Sequence, residues 1–274
     1  MIEQGTVASP VEVAGTALRS GVRSRARLRP GRPDSGVVFV VDGIEVPATI
    51  AHVVDTTLAT TLGGHGVRVV LVEHLLAATL AAGIDNLRVE LDGDELPILD
   101  GGALHWLGAL ATAGRMAQPV LARWWSVSQP VRIETPAAFA MLEPAESLTL
   151  DVAVQFSHPQ IGAQRWSGDP ISRFGAELAW ARTFGFHADA ERFRAAGMVR
   201  GVSLDNTLVF DDVGVLNAGG QRAVDEVVRH KALDALGDLA LLPGRPRVKM
   251  TASRGGHAVH HALLRAAEAV LVRG

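Results

Sequence analysis

Apolar residues recur along this chain with two periods, and the alternation between them divides it into strands and helices. Val11 to Leu28 alternates apolar and polar positions, broken at Gly15 and Gly21, which predicts two short strands around a turn. Val37 to Val41, then Asp42-Gly43 and Ile44, predict a tight hairpin, because Asp-Gly accepts the positive φ of the primed turns. Thr49 to Val69 keeps no clear period, and Gly63-Gly64-His65-Gly66 reads as a turn. Helical spacing sets in at Val72 and runs to Ala82, where Gly83 supplies the usual stop. Leu87 to Leu91 alternates as a half-buried strand, Ala103 to Ala113 is a second helix, and Gly114 to Pro119 reads as a linker.

The second half repeats this order. Strands are expected at Val127 to Ile133, Ala138 to Leu142 and Leu148 to Phe156, then a looser region up to Pro170. Pro170 to Ala181 predicts a helix, Ala181 to Phe186 an irregular stretch, Ala188 to Ala196 a short helix and Thr207 to Phe210 a strand. A long helix over Asp225 to Leu241, a strand at Val248 to Thr251, a turn at Gly255-Gly256 and a final helix from Ala258 to Val272 complete the chain. Strands followed by helix, strand and helix in both halves predict an α+β protein of two similarly built domains, 1–116 and 117–274.

Composition narrows the chemistry. A net charge of −3 argues against nucleic-acid binding, and nothing approaches the roughly 18 apolar residues needed to span a bilayer. The start, Met1 to Gly5, lacks a basic segment followed by an apolar one, so a cytoplasmic protein is expected. There is no cysteine, and any metal must be held by His, Asp or Glu. On the helix from Asp225, His230 and Asp234 stand four apart and share one face, as two ligands of a metal site would; a surface His-Asp pair has the same spacing. Glu73 and His74 open the helix that starts at Val72, where a carboxylate also serves as a first-turn cap. Asp100 reads as a turn residue, Arg182 and Thr183 as structural, and Phe184 and Phe186 as core when each is judged singly. Taken together, His74, His230 and Asp234 make a three-ligand zinc site with one position left for water, the count of catalytic rather than structural zinc. Glu73 is then a candidate base and His257 a candidate acid.

Six segments resemble the signature motifs of the UDP-3-O-acyl-N-acetylglucosamine deacetylase family, in the family's order and over nearly the whole chain. They are Val72 to Ala78, Gly83 to Asn86, Pro97 to Gly101, Ala181 to Phe186, His230 to Leu239 and Gly256-His257. The resemblance implies a zinc amidase of lipid A synthesis that releases acetate from an acylated UDP-sugar. It further implies two domains of ribosomal protein S5 domain 2 type, with helices and zinc site sandwiched between them and a βαβ insert over Thr183 to Ser203. Carried over by position, His74, His230 and Asp234 bind zinc, a site that iron also suits. Glu73 is the base, His257 protonates the amine or stabilises the oxyanion, Thr183 bonds the scissile carbonyl oxygen, and Asp238 orients His257. Phe184 lies against the sugar, Lys231 and Arg254 face the diphosphate, and Phe156 sits near the uracil.

Departures from the family pattern concentrate in substrate recognition. Arg19, in Ala17-Leu18-Arg19-Ser20-Gly21, stands for a histidine, and Glu143 stands where a phosphate-binding lysine is expected. Leu71 replaces a threonine, Arg200 an apolar residue, and Val202 a glycine of the acyl passage, which should narrow it. Three readings follow: the family's deacetylase; a paralogous zinc amidase acting on another N-acyl amino sugar or N-acyl compound; and a non-catalytic binding protein of the same fold. For an acylated small-molecule substrate the expectation is a monomer, with peripheral contact at the inner membrane.

Overall fold

The structure is a computed structural model and describes residues 2–274; Met1 lies outside the described residues. Two five-stranded sheets dominate it. The first runs, in spatial order, Val11–Thr16, Arg23–Pro30, Leu87–Leu91, Val37–Val41 and Ile44–Pro47. The second runs Val131–Glu134, Phe139–Pro144, Val248–Ser253, Thr149–Gln155 and Ala163–Gly168. In each sheet the last strand in sequence enters at the centre, parallel to one neighbour and antiparallel to the other. A parallel neighbour requires a crossover, and a helix supplies it in both halves. The strands bury alternate residues on one face: Ala26 and Leu28, Phe39 and Val41, Leu150 and Val152, Met250 and Ala252.

The described residues also form five α-helices: α1 Glu73–Ala81, α2 Leu104–Ala113, α3 His187–Ala195, α4 Glu226–Leu239 and α5 His257–Ala267. Helix α1 packs on α2 and α4, and α4 packs in turn on α5 and on the strand Thr149–Gln155. Glu73 through Thr79 are all buried, as are all residues of α4 except Arg229 and Lys231, so these two helices form the centre of the molecule. Gly237 makes their contact: a Cβ there would lie 2.1 Å from the Glu73 carbonyl oxygen. A glycine inside a helix costs roughly 1 kcal/mol relative to alanine, and here the return is backbone-to-backbone approach of α1 and α4.

The α+β architecture agrees with the sequence pattern, and so does the hairpin, whose Asp42 and Gly43 have φ of 50° and 79°. Several local expectations do not hold. The stretch expected as a linker is the strand Arg115–Leu121, paired with Glu3–Val7. Val127 to Ile133 is broken at Pro130, with Trp124–Val127 and Val131–Glu134 in different sheets. The helix expected before Ala181 is a single π-helical turn, Phe174–Leu178. The final helix stops at Ala267, and Leu271–Arg273 returns as a strand beside Trp124–Val127. The irregular Phe184–Phe186 is a strand, parallel to Leu208–Phe210 across α3, so the βαβ insert extends past Ser203 to Phe210. No helix among the described residues is long and apolar enough to cross a membrane.

Candidate active site

Helix α1 brings Glu73 and His74, and helix α4 brings His230, Asp234 and Asp238, to one buried cluster. His74 Nε2 lies 3.7 Å and His230 Nε2 3.3 Å from Asp234 Oδ1, and the three donor atoms fall within 4.8 Å of one another. The spacing of four on α4 therefore does not make a surface pair, since His230 and Asp234 are each 2% exposed. His230 Nδ1 donates to the Ala181 carbonyl at 3.0 Å, which turns Nε2 toward the cluster. Burial, and then the neighbouring His74 and Lys231, outweigh Asp234 and lower the His230 pKa to about 4, so the imidazole is neutral.

Asp234 divides its carboxylate. Oδ2 accepts from Lys231 Nζ at 2.8 Å, whereas Oδ1, though buried, has no hydrogen-bond partner among the described residues. Burial opposes its charge, but His230 and Lys231 prevail and hold its pKa well below the carboxylate range. A buried, ionised oxygen without a donor costs upward of 1–3 kcal/mol by the general measure of about that size for an unsatisfied group. A divalent cation among the two imidazoles and this oxygen removes the deficit, and the nitrogen and oxygen donors suit such an ion.

Beside the cluster stand two more titratable groups. Glu73 is 2% exposed; its Oε2 accepts from the Thr60 backbone N–H at 3.0 Å, and its Oε1 lies 3.7 Å from His257 Nε2. Burial raises the Glu73 pKa, against the pull of His257 and His74. His257, at the start of α5, donates from Nδ1 to Asp238 Oδ2 at 2.9 Å. Burial opposes the imidazolium, yet Asp238 and then Glu73 raise its pKa to about 10. Asp238 also accepts from His260 Nδ1 at 2.8 Å, His261 Nε2 at 2.9 Å and Thr60 Oγ at 2.8 Å.

This cluster floors a cleft of about 310 Å³ whose walls include Leu18, Leu58, Thr183, Phe184 and Lys231. Thr183 is held there because its N–H donates to the Gly101 carbonyl, while the neighbouring Arg182 is locked to the buried Glu226 at the head of α4. Phe184 stands edge-on to His230, with Lys231 Nζ 5.4 Å from its ring centre. From Thr183 and Phe184 an apolar passage of about 120 Å³ continues between Phe186, Phe193, Val199 and Val202. Phe156 meets Phe184 edge-on at 5.6 Å and lines a separate hollow of about 440 Å³ with Phe210, Asp211 and Asp212.

Three expected substrate residues do not line this cleft or the passage that leads from it. Arg19 pairs with Asp55 at 3.3 Å, and Glu143 pairs with Lys249 at 3.4 Å on the sheet face opposite the buried Leu142. Arg254 is exposed, with a φ of 51°, beyond the cleft lining. Conversely, Thr60 lies in the stretch without periodicity, and His260 and His261 look like an incidental local run. Only their shared contact with Asp238 marks them.

The family model for LpxC, UDP-3-O-acyl N-acetylglycosamine deacetylase, matches residues 4–268. The chain belongs to this family. It is 43% identical over 268 residues to the UDP-3-O-acyl-N-acetylglucosamine deacetylase of Myxococcus xanthus (strain DK1622), covering 96% of this chain and 85% of that one. It is 44% identical over 266 residues to that of Anaeromyxobacter sp. (strain Fw109-5), with 96% and 87% covered. Against that of Brucella melitensis biotype 2 (strain ATCC 23457) the identity is 40% over 270 residues, with 96% and 94% covered. Members of the family carry the name of an amide-hydrolysing enzyme, and the buried His-His-Asp cluster beside Glu73 and His257 has the groups such a reaction needs.

Proposed function

We propose that this protein hydrolyses the N-acetyl amide of UDP-3-O-acyl-N-acetylglucosamine in lipid A biosynthesis, using zinc held by His74, His230 and Asp234. The observation that carries the reading is the convergence of His74 Nε2, His230 Nε2 and the unpartnered Asp234 Oδ1 at the floor of a cleft that opens into an apolar passage. When bound, zinc would supply Lewis-acid polarisation of a water molecule and of the amide carbonyl. Iron(II) suits the same donors, and metal analysis of the purified protein distinguishes them.

Glu73 takes the proton of the attacking water; its buried carboxylate, fixed by the Thr60 N–H, has a raised proton affinity suited to that role. The His257 imidazolium donates a proton to the departing nitrogen, and Asp238 holds the ring in place. Thr183 directs its hydroxyl to the amide oxygen, Phe184 packs on the sugar, and Lys231 faces the diphosphate. Phe156 and its hollow take the uracil. The passage past Val202 takes the acyl chain, and Val202 in place of glycine shortens what fits. With 1–116 and 117–274 as two domains, the site lies between them, and an acylated substrate brings a cytoplasmic monomer into peripheral contact with the inner membrane.

The paralogue reading rested on Arg19, Glu143 and Val202. Arg19 pairs with Asp55 and Glu143 with Lys249, and of the three only Val202 lines the passage that leads from the cleft. The test is acetate release from UDP-3-O-acyl-N-acetylglucosamine alongside other N-acetylated sugars. The expected outcome is turnover of the acylated UDP-sugar alone, abolished together with metal content in His230→Ala. Stoichiometric metal with turnover only of another N-acyl compound would instead establish the paralogue.

A further inference from the structure

We infer that Thr60 is a positioning residue that sets the base Glu73 and the acid His257 in register, through its hydroxyl on Asp238 and its backbone N–H on Glu73. The inference rests on the deacetylase reading above.

Thr60 is fully buried and uses every polar group it has. Its N–H donates to Glu73 Oε2 at 3.0 Å, which turns Oε1 toward His257. Its carbonyl accepts from the backbone N–H of Leu71 at 3.1 Å and Val72 at 3.4 Å, the two residues that lead into α1. Leu71 sits there with a φ of 68°, a conformation that a leucine adopts only when its surroundings impose it. The third group, the hydroxyl, donates to Asp238 Oδ1 at 2.8 Å. One residue thus ties the turn before Glu73 and His74 to the carboxylate that orients His257, although the two partners belong to different helices.

The geometry at Asp238 explains why the hydroxyl matters. Oδ2 accepts from His257 and His260, and Oδ1 accepts from His261 and Thr60, so the carboxylate is gripped on both oxygens. Its other partners, His257, His260 and His261, all belong to α5, and among the described residues Thr60 alone reaches it from the N-terminal half. Without the hydroxyl, Asp238 keeps its charge but loses its tie to the segment that holds Glu73. The two proton-transfer groups then need not stay at the spacing that the 3.7 Å approach of His257 Nε2 to Glu73 Oε1 records. Displacements of about an ångström at a reacting centre cost on the order of 100-fold in rate.

The test compares Thr60→Val, which keeps the branched shape and removes the hydroxyl, with Thr60→Ser, which keeps the hydroxyl and removes the methyl. Thr60→Ala replaces Val in the comparison if the Val variant does not fold. In steady-state assays of the zinc-loaded protein, Thr60→Val should lower kcat about 10- to 100-fold with KM and metal content unchanged, and Thr60→Ser should retain the wild-type kcat. Equal losses in both variants would make Thr60 a packing residue and overturn the inference, as would a wild-type kcat in Thr60→Val. A second readout needs no turnover: the ring-nitrogen NMR signals of His257 and His261 should move in Thr60→Val and stay in Thr60→Ser. If the wild-type protein releases no acetate, the deacetylase reading fails, and these spectra still decide whether Thr60 controls the histidines on Asp238.

Discussion

Two neighbouring residues, Glu73 and His257, are pushed in useful directions by different causes. Glu73 is desolvated and its pKa raised, while His257 is raised to about 10 because Asp238 and Glu73 outweigh its own burial. A base must be ionised and an acid protonated, so turnover should rise as pH climbs through the Glu73 pKa and fall as it passes that of His257. Asp238→Asn keeps the shape and removes the charge that sustains the imidazolium. The falling limb of the pH–kcat profile should then move to lower pH by about one unit or more, with the rising limb unmoved. Zinc stoichiometry should hold, since no ligand atom touches Asp238, and stability should drop by roughly 3 kcal/mol for four donors left facing a neutral amide. An unmoved falling limb would mean that His257 is not the acid.

At the scale of elements, the central fact is how closely α1 and α4 approach. Gly237 to Ala would set a methyl group against the Glu73 carbonyl, and backbone cannot yield as a flexible side chain does. Forcing the helices apart separates His74 from His230 and Asp234. Gly237→Ala should therefore lose metal affinity as well as about 1–3 kcal/mol of stability by overpacking, measured by zinc titration and thermal melting. If instead it melts higher and binds zinc as before, the close approach is not required. The same helices were the most legible part of the sequence, because long apolar periods and Gly83 define them without reference to anything distant. The strands Arg115–Leu121 and Ala163–Gly168 were not. Both lie at sheet edges and expose half or more of their residues, so no apolar alternation betrays them. Site residues divide the same way. His74, His230 and Asp234 stand in local motifs, whereas Thr60 contacts Asp238 across 178 positions and has nothing near it in sequence to mark it. Arg19 and Glu143 show the converse limit: sequence position alone does not reveal that each has an ion-pair partner, Asp55 and Lys249, inside the chain.

For the molecule as a whole, the main apolar core spans both halves, beside a smaller cluster of Leu18, Ala59, Val70, Leu71 and Ile98. The larger cluster of buried residues runs from Leu28 and Phe39 in the first sheet, through Leu75 of α1 and Leu236 of α4, to Leu142 and Leu150 in the second. Neither half keeps its helices covered without the other, so unfolding should be one cooperative transition rather than two, despite the repeated strand order. The cluster that could hold a metal joins the same two helices, with His74 on α1 and His230 and Asp234 on α4. A ligand bound only by the folded state at a concentration about 1,000-fold above its Kd adds about 4 kcal/mol. For a chain of this size that corresponds to a Tm about 10 °C higher than after chelation. Calorimetry of the zinc-loaded and chelated protein should give one endotherm in each case, displaced as a unit. Two endotherms, only one of them zinc-sensitive, would show that the halves fold independently and that the metal belongs to one of them. A single displaced endotherm makes the ligands part of what holds α1 on α4, and chelation then lowers activity and stability together.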